Sequence, residues 1–298
     1  MTITTKASID DAVEKYVAEA RYTMQERPGV IWGSIRTERL PEHSGPAVNI
    51  PKYGTVNTFA LTEGIDMAQA QEITDTGLAI SPAEYGAQVI LTDLQLQTTK
   101  DDFFRVAGRI LGDSFDRQRE QTLCDDCDNF SVALGSAGTA LNLGHVMAAH
   151  GSIKYNAPEN GTAGRGGEPG PDPIYGFITP AQAHSLKKTM VGGIGAAGAT
   201  QVVPALDRAG YSEQFEAGGV MIKTTVNFNK DSSDDVKAGF LSKEAWIGVE
   251  LGGGPGAEKE RDASLRAWEV NFVGRWARAE YNDAWGREGV FDSALPTS

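Results

Sequence analysis

The chain has 298 residues, 40% hydrophobic and 22% charged, the balance of a globular protein with one large domain or two smaller ones. A formal net charge of -13 repels nucleic-acid phosphate and argues against DNA wrapping or non-specific DNA binding. Two cysteines exclude a disulfide framework, and no run approaches the ~18 apolar residues of a membrane-spanning helix.

The opening "MTITTKASIDDAVEKYV" has no basic stretch followed by an apolar one, so no secretory signal is expected. Residues 8–26 read as a helix: Ile9, Ala12, Val13, Tyr16, Val17, Ala20 and Met24 recur at spacings of three and four. Ser8 with Asp11 forms a capping pattern, and Pro28-Gly29 ends the helix. Residues 30–40 read as extended and 41–51 as a proline-rich loop. From 52 to 82 large apolar residues are sparse and separated by Thr, Gly, Asp and Gln. That stretch reads as a long two-stranded excursion, and a lone hairpin needs another surface to lie on.

From Tyr85 to Leu96 the pattern alternates as a long strand. A helix is expected at 100–127, capped by Thr99 with Asp102 three residues on. Its buried stripe reads as Phe103, Phe104, Ala107, Ile110, Leu111, Phe115 and Leu123. Gly108 and Gly112 each cost about 1 kcal/mol relative to Ala, which close approach of another backbone can offset. Further on, 141–153 reads as a short helix and 156–173 as a polar loop. Residues 174–190 read as strand, proline and helix. Residues 219–229 read as a strand. Residues 238–251 read as a strand, or as a turn and a strand. Residues 252–262 read as a mobile loop and 265–281 as a long closing strand.

The chemical motifs have blander readings. Gly193, Gly195 and Gly198 match a dinucleotide fingerprint, but a helix rather than a strand precedes them. Cys124 and Cys127 are spaced like a redox or half-zinc pair. They lie near a helix C-terminus beside Asp125, Asp126 and Asp128, which disfavours thiolate, and no second ligand pair is evident. His43, His145, His150 and His184 form no zinc-protease motif. Residues 229–235 alternate acids but lack the glycine and terminal glutamate of a calcium loop. Trp268, Trp276, Tyr281 and Trp285 suit a sheet core or a subunit contact better than a nucleic-acid platform. No catalytic, cofactor-binding or metal-binding residue is expected.

The stretch "ALTEGIDM" followed by "SPAEYGAQVILTDLQLQTTKDDFFRVAGRILGDSFDRQREQTL", together with "GFITPAQAHSL", resembles the major capsid proteins of tailed bacteriophages, with the HK97-like fold and especially its podovirus-like branch. The match covers residues 25–128 well and 174–190 moderately. The resemblance implies an α+β subunit. Residues 1–50 would be an N-terminal arm and 51–84 an extended β-hairpin loop, the E-loop. A peripheral domain would comprise 85–138 and 219–298 and include the spine helix. A mixed α/β axial domain would span 139–218. Tyr53, Phe59, Leu61, Ile65, Met67, Ile73, Leu78 and Ile80 would contact a neighbouring subunit.

It further implies self-assembly into hexamers and pentamers of an icosahedral shell around double-stranded DNA, built in the bacterial cytoplasm. A portal and possibly a decoration protein would be partners. The arm begins at once, so a separate scaffolding protein is expected. Residues 53–83 hold no lysine, which argues against lysine–asparagine crosslinking from this loop. An encapsulin-type compartment shell and a soluble α/β nucleotide-binding enzyme are the alternatives.

Overall fold

A computed structural model of the chain describes residues 29–41, 45–54, 56, 58–61, 63–64, 70–98, 103–155, 168–192, 214–252 and 255–296. The first part contains β1 (Arg36–Leu40), β2 (Val48–Tyr53), β3 (Asp75–Ile80), β4 (Ala83–Thr92), α1 (Asp93–Thr98) and α2 (Phe103–Asp126). The middle contains β5 (Ala133–Gly135), α3 (Leu143–Tyr155), β6 (Ile174–Ile178), α4 (Pro180–Gly192), β7 (Gln214–Ala217) and β8 (Val220–Thr224). The last part contains β9 (Asp235–Ser242), β10 (Trp246–Leu251), β11 (Gly256–Asp262), β12 (Ala267–Glu280) and β13 (Gly286–Asp292). The expected helix at 8–26, the Thr99–Asp102 cap, the glycines at 193–198 and His43 lie outside the described residues.

Among the described residues the strands form three sheets. In the first, the 14-residue β12 is the organising strand. It pairs antiparallel with β4 on one side and with β10 and β11 on the other, while β1 adds parallel to β10. Helix α2 lies on this sheet through Ala107, Leu111, Phe115 and Leu123, which share a core with Val270, Phe272 and Trp276. Phe115 meets Phe272 edge to face at 5.8 Å. Gly274 makes room for it, since a Cβ there would stand 2.4 Å from the Phe115 ring.

The second sheet runs β5-β13-β9-β6-β8-β7. Its β6 and β8 are parallel, which demands a crossover, and α4 supplies its helix. Val146, Ala149 and Ile153 of α3 and Ala183 and Leu186 of α4 pack with Ile174, Ile222 and Phe240 in a separate core. The third sheet is the β2–β3 hairpin, with a ladder from Val48↔Ile80 to Tyr53↔Asp75. One more backbone bond, from Gly54 N to Thr74 O at 2.8 Å, closes the paired stem.

Several expectations are corrected. Residues 93–98 form helix α1, not the end of a long strand. The pairing partner runs out there: Thr92 faces Ala267, the first residue of β12. Asp93 N then bonds to Arg266 O at 2.9 Å, and Arg261 pairs with the Asp93 carboxylate at 3.0 Å. Residues 256–262 are an edge strand rather than a loop, because β12 offers each of them a partner. β12 is not the closing strand, since β13 follows and pairs with β9. Residues 30–34 form a tight turn before β1, with Ile35 N bonding to Ile31 O at 3.1 Å.

Candidate assembly surfaces and the buried anchor of the arm

The hairpin divides into two chemically different parts. At its stem Ile50 and Ile80 are buried against Leu40, Ile247 and Val249, with Val48 and Leu78 packed beside them. Ile80 is 3% exposed, so it belongs to the core of its own subunit and is not available to a neighbour. Leu78 is half-buried in the same cluster. At the end of the ladder and beyond it, the described large apolar side chains face solvent. Tyr53, Val56, Phe59, Leu61 and Ile73 are all exposed, Ile73 to 68%. Ile65 and Met67 lie outside the described residues.

The stripe of α2 is narrower than its sequence suggests. Ala107, Leu111, Phe115 and Leu123 are buried, and Phe104 packs partly buried beside them. Ile110 is 60% exposed. Successive helix positions turn by 100°, so Ile110 points a full step away from the Leu111 face that meets the sheet. The side chain of Phe103 lies outside the described residues. Gly108 and Gly112 are both buried.

Polar side chains of α2 hold the incoming chain. The Glu120 carboxylate accepts the Ile31 N–H through both oxygens, at 2.9 and 3.2 Å. Arg119 donates to Asp116 at 2.7 Å, stands 4.0 Å from Glu250 of β10, and lies 4.6 Å beneath the Trp32 ring. Trp32 in turn meets Trp276 edge to face at 5.6 Å. Lys223 of β8 donates to the Ser34 hydroxyl at 2.7 Å, joining the same turn to the second sheet. Burial drives the titrations here. Asp116 is pushed up to about 7 by desolvation, against the pull of Arg119. Glu120 is also raised by burial, opposed by its bonds to the Ile31 and Trp32 backbone. Sequence reasoning passed over Trp32 and Glu120, although a carboxylate and an arginine beside the apolar stripe of α2 were the visible signal.

The reactive-looking groups are engaged structurally. Cys124 and Cys127 are buried and unbridged, and desolvation raises both thiols well above their usual range. Both stand far from thiolate chemistry. A cavity of about 390 Å³ borders Cys124, Asp128, Asp231, Asp235 and Lys237. Asp128, Asp231 and Asp235 already have partners. Lys237 pairs with Asp128 and Glu288, Asp231 accepts Ser233 N and Asp235 N at 2.8 Å, and Asp235 accepts Gly138 N at 2.7 Å. Among the described residues no group of three or more His, Cys, Asp or Glu is placed to hold a metal ion. His145 lies against Phe291, with ring centroids 4.9 Å apart. Trp276 and Trp285 are core residues, and Lys259 covers the Trp268 ring at 3.8 Å. No described helix is long and apolar enough to cross a membrane.

The architecture itself has close counterparts. The capsid of Ralstonia phage GP4 superposes with a TM-score of 0.66 at 13% identity, covering 90% of this chain and 92% of that one. The chain has a phage capsid fold. The head structure of Helicobacter pylori bacteriophage KHP40 gives a TM-score of 0.64 at 9% identity, with 86% and 87% of the two chains covered. Mycobacterium phage Che8 gives 0.60 at 14%, with 83% and 85% covered. No protein-family model and no curated protein sequence matches the chain. The capsid fold here is mixed α/β, with its described helices packed on two larger sheets and a separate hairpin.

Proposed function

We propose that this chain is the major capsid protein of a tailed bacteriophage, a structural protein that assembles with copies of itself into the shell around packaged DNA. The observation that carries this reading is the likeness to phage capsid subunits over nearly the whole length of both chains. In this reading the fold is HK97-like. The hairpin between β2 and β3 is the E-loop and α2 is the spine helix. Residues 85–138 and 219–298, with α2, form the peripheral domain, and 139–218, with α3 and α4, form the axial domain.

The physics supports the assignment. A shell subunit needs heterologous contacts that close into rings and then into a sphere. A hairpin whose stem is bonded into its own subunit, and whose far part exposes Phe59, Leu61 and Ile73, can bury apolar area on another copy. Hexamers and pentamers, a scaffolding protein, a portal and a decoration protein are the partners this role brings. The location is the virion, with assembly in the bacterial cytoplasm.

The test is expression with and without a candidate scaffolding protein, followed by electron microscopy and sedimentation. Capsomers or closed shells are expected. Small discrete species under every condition would sink the proposal, and closed shells that enclose an enzyme instead of DNA would point to a compartment protein.

A further inference from the structure

The first sheet has three outer strands, β1, β11 and β4, and they end it differently. β1 carries Arg36, Glu38 and Arg39, and β11 carries Glu258, Lys259, Glu260, Arg261 and Asp262. Charges on an edge deter pairing with another strand. β4 has little of this guard: its 10 residues hold no proline, and from Tyr85 to Leu91 no charge. Among the described residues its only ladder is with β12. The phase of that ladder fixes which backbone groups face outward. Asp93 N bonds to Arg266 O at 2.9 Å, continuing the register that sets Thr92 against Ala267. Polar groups along a strand alternate in direction, so the odd-numbered residues of β4 turn N–H and C=O toward β12. Gly86, Gln88 and Ile90 turn theirs away from it. All three residues are exposed, Ile90 to 47%.

We propose that β4 pairs antiparallel with β4 of a second copy, about a two-fold axis through Gln88. The occupant follows from the order of residues in the strand itself. With Gln88 opposite its own copy, Gly86 stands opposite Ile90 on the solvent face. On the face toward α2, Ala87 stands opposite Val89 and Tyr85 opposite Leu91, so a small side chain or an aromatic–aliphatic match meets each bulky one. The pairs 86 with 90, 88 with 88 and 90 with 86 would exchange about six backbone hydrogen bonds. Charge does not oppose the pairing. Glu84, the one charged residue of β4, already pairs with Arg275 at 2.7 Å. Its two copies would lie about 27 Å apart, beyond the Debye length of about 8 Å. The pairing needs no closed shell, and in a shell it would lie on a two-fold axis.

Disulfide trapping on the concentrated full-length chain tests this. In the pair the two Cα atoms of residue 88 would lie about 5.5 Å apart, within disulfide range. Glu258 lies in the same cross-strand row as Gln88, at the β11 edge. Under mild oxidation Gln88→Cys should give roughly tenfold more covalent dimer than Glu258→Cys. Cys124 and Cys127 are buried and do not compete. Adding Gly86→Pro should abolish the trap, since it removes an outward N–H and leaves the β12 ladder intact. A Cβ at position 86 comes no closer than 3.4 Å to its neighbours. Ile90→Lys, which puts a charge on the same edge, should do the same where proline disturbs the fold. Equal dimer from Gln88→Cys and Glu258→Cys would overturn the proposal. So would a disulfide at position 88 that survives both added substitutions. Shells that form without trapping would overturn this pairing and leave the proposed function standing, whereas a trapped dimer in a chain that builds no shell would support the pairing alone.

Discussion

Glu120 and Ile31 are 89 positions apart, yet the Glu120 carboxylate accepts the Ile31 backbone N–H with both oxygens, at 2.9 and 3.2 Å. The bond fixes the turn at 30–34 on α2 and seats Trp32 between Arg119 and Trp276. Glu120→Ala removes the acceptor and leaves a buried N–H unpaired, which costs about 1–3 kcal/mol. Urea unfolding should show that loss, and Glu120→Gln, which keeps an acceptor oxygen, should lose less. An unchanged midpoint in Glu120→Ala would show that the bond does not anchor the turn.

The same cluster sets a pH dependence. Asp116 is pushed up to about 7 by burial, so the folded state binds its proton more readily than the unfolded chain does. Between about pH 4 and pH 7 the folded state holds the extra proton, and stability falls as pH rises through that window. One such group contributes a slope of at most about 1.4 kcal/mol per pH unit. Glu120 and Glu288 are raised as well and act in the same direction. Denaturation midpoints across this range should fall with pH, and Asp116→Asn should flatten the fall. An equal slope in the variant would remove Asp116 as its source.

Gly248 of β10 faces the Trp32 ring, and a Cβ there would stand 2.7 Å from two ring atoms. Gly248→Ala should therefore displace the indole and cost about 1–3 kcal/mol through overpacking. A shift in tryptophan emission together with a lower melting temperature is the expected signature. Wild-type emission and stability would mean that the ring has room to move.

The two parts of the hairpin should respond differently to substitution. Ile80→Ala opens a cavity in the stem cluster and should cost about 2–5 kcal/mol of subunit stability. Ile73→Ser, at an exposed position, should stay within about 0.5 kcal/mol in the isolated subunit and impair shell formation. Removing residues 55–73 while keeping β2 and β3 should leave a folded subunit that forms no shell. Loss of folding in that deletion would place the far part of the hairpin in the subunit core.

Cys124 and Cys127 should remain protonated and shielded at pH 8. An aromatic disulfide reagent should titrate almost no thiol in the native protein and both thiols after denaturation. Rapid native reaction of either cysteine would contradict the burial of this part of α2.

Much of the architecture could be read locally. The stripe of Ala107, Leu111, Phe115 and Leu123 marks α2, and Pro180 marks the start of α4. The alternation from Tyr85 to Leu91 marks β4, and the sparse apolar residues of 52–82 mark a segment with little core of its own. These are period and composition signals, and they survive whatever packs nearby.

Other features depend on residues far away in sequence. Residues 93–98 turn into a helix because β12 ends opposite Thr92. Residues 256–262 are a strand because β12 runs beside them. Ile80 is core and Ile110 is surface because the first sheet lies over one position and not the other. The Glu120–Ile31 bond and the Trp32 seat likewise join segments that no local pattern connects. Periodicity reports which residues share a face of one element, whereas burial and partnership are properties of the surfaces that meet, and those are set only when the chain has closed on itself.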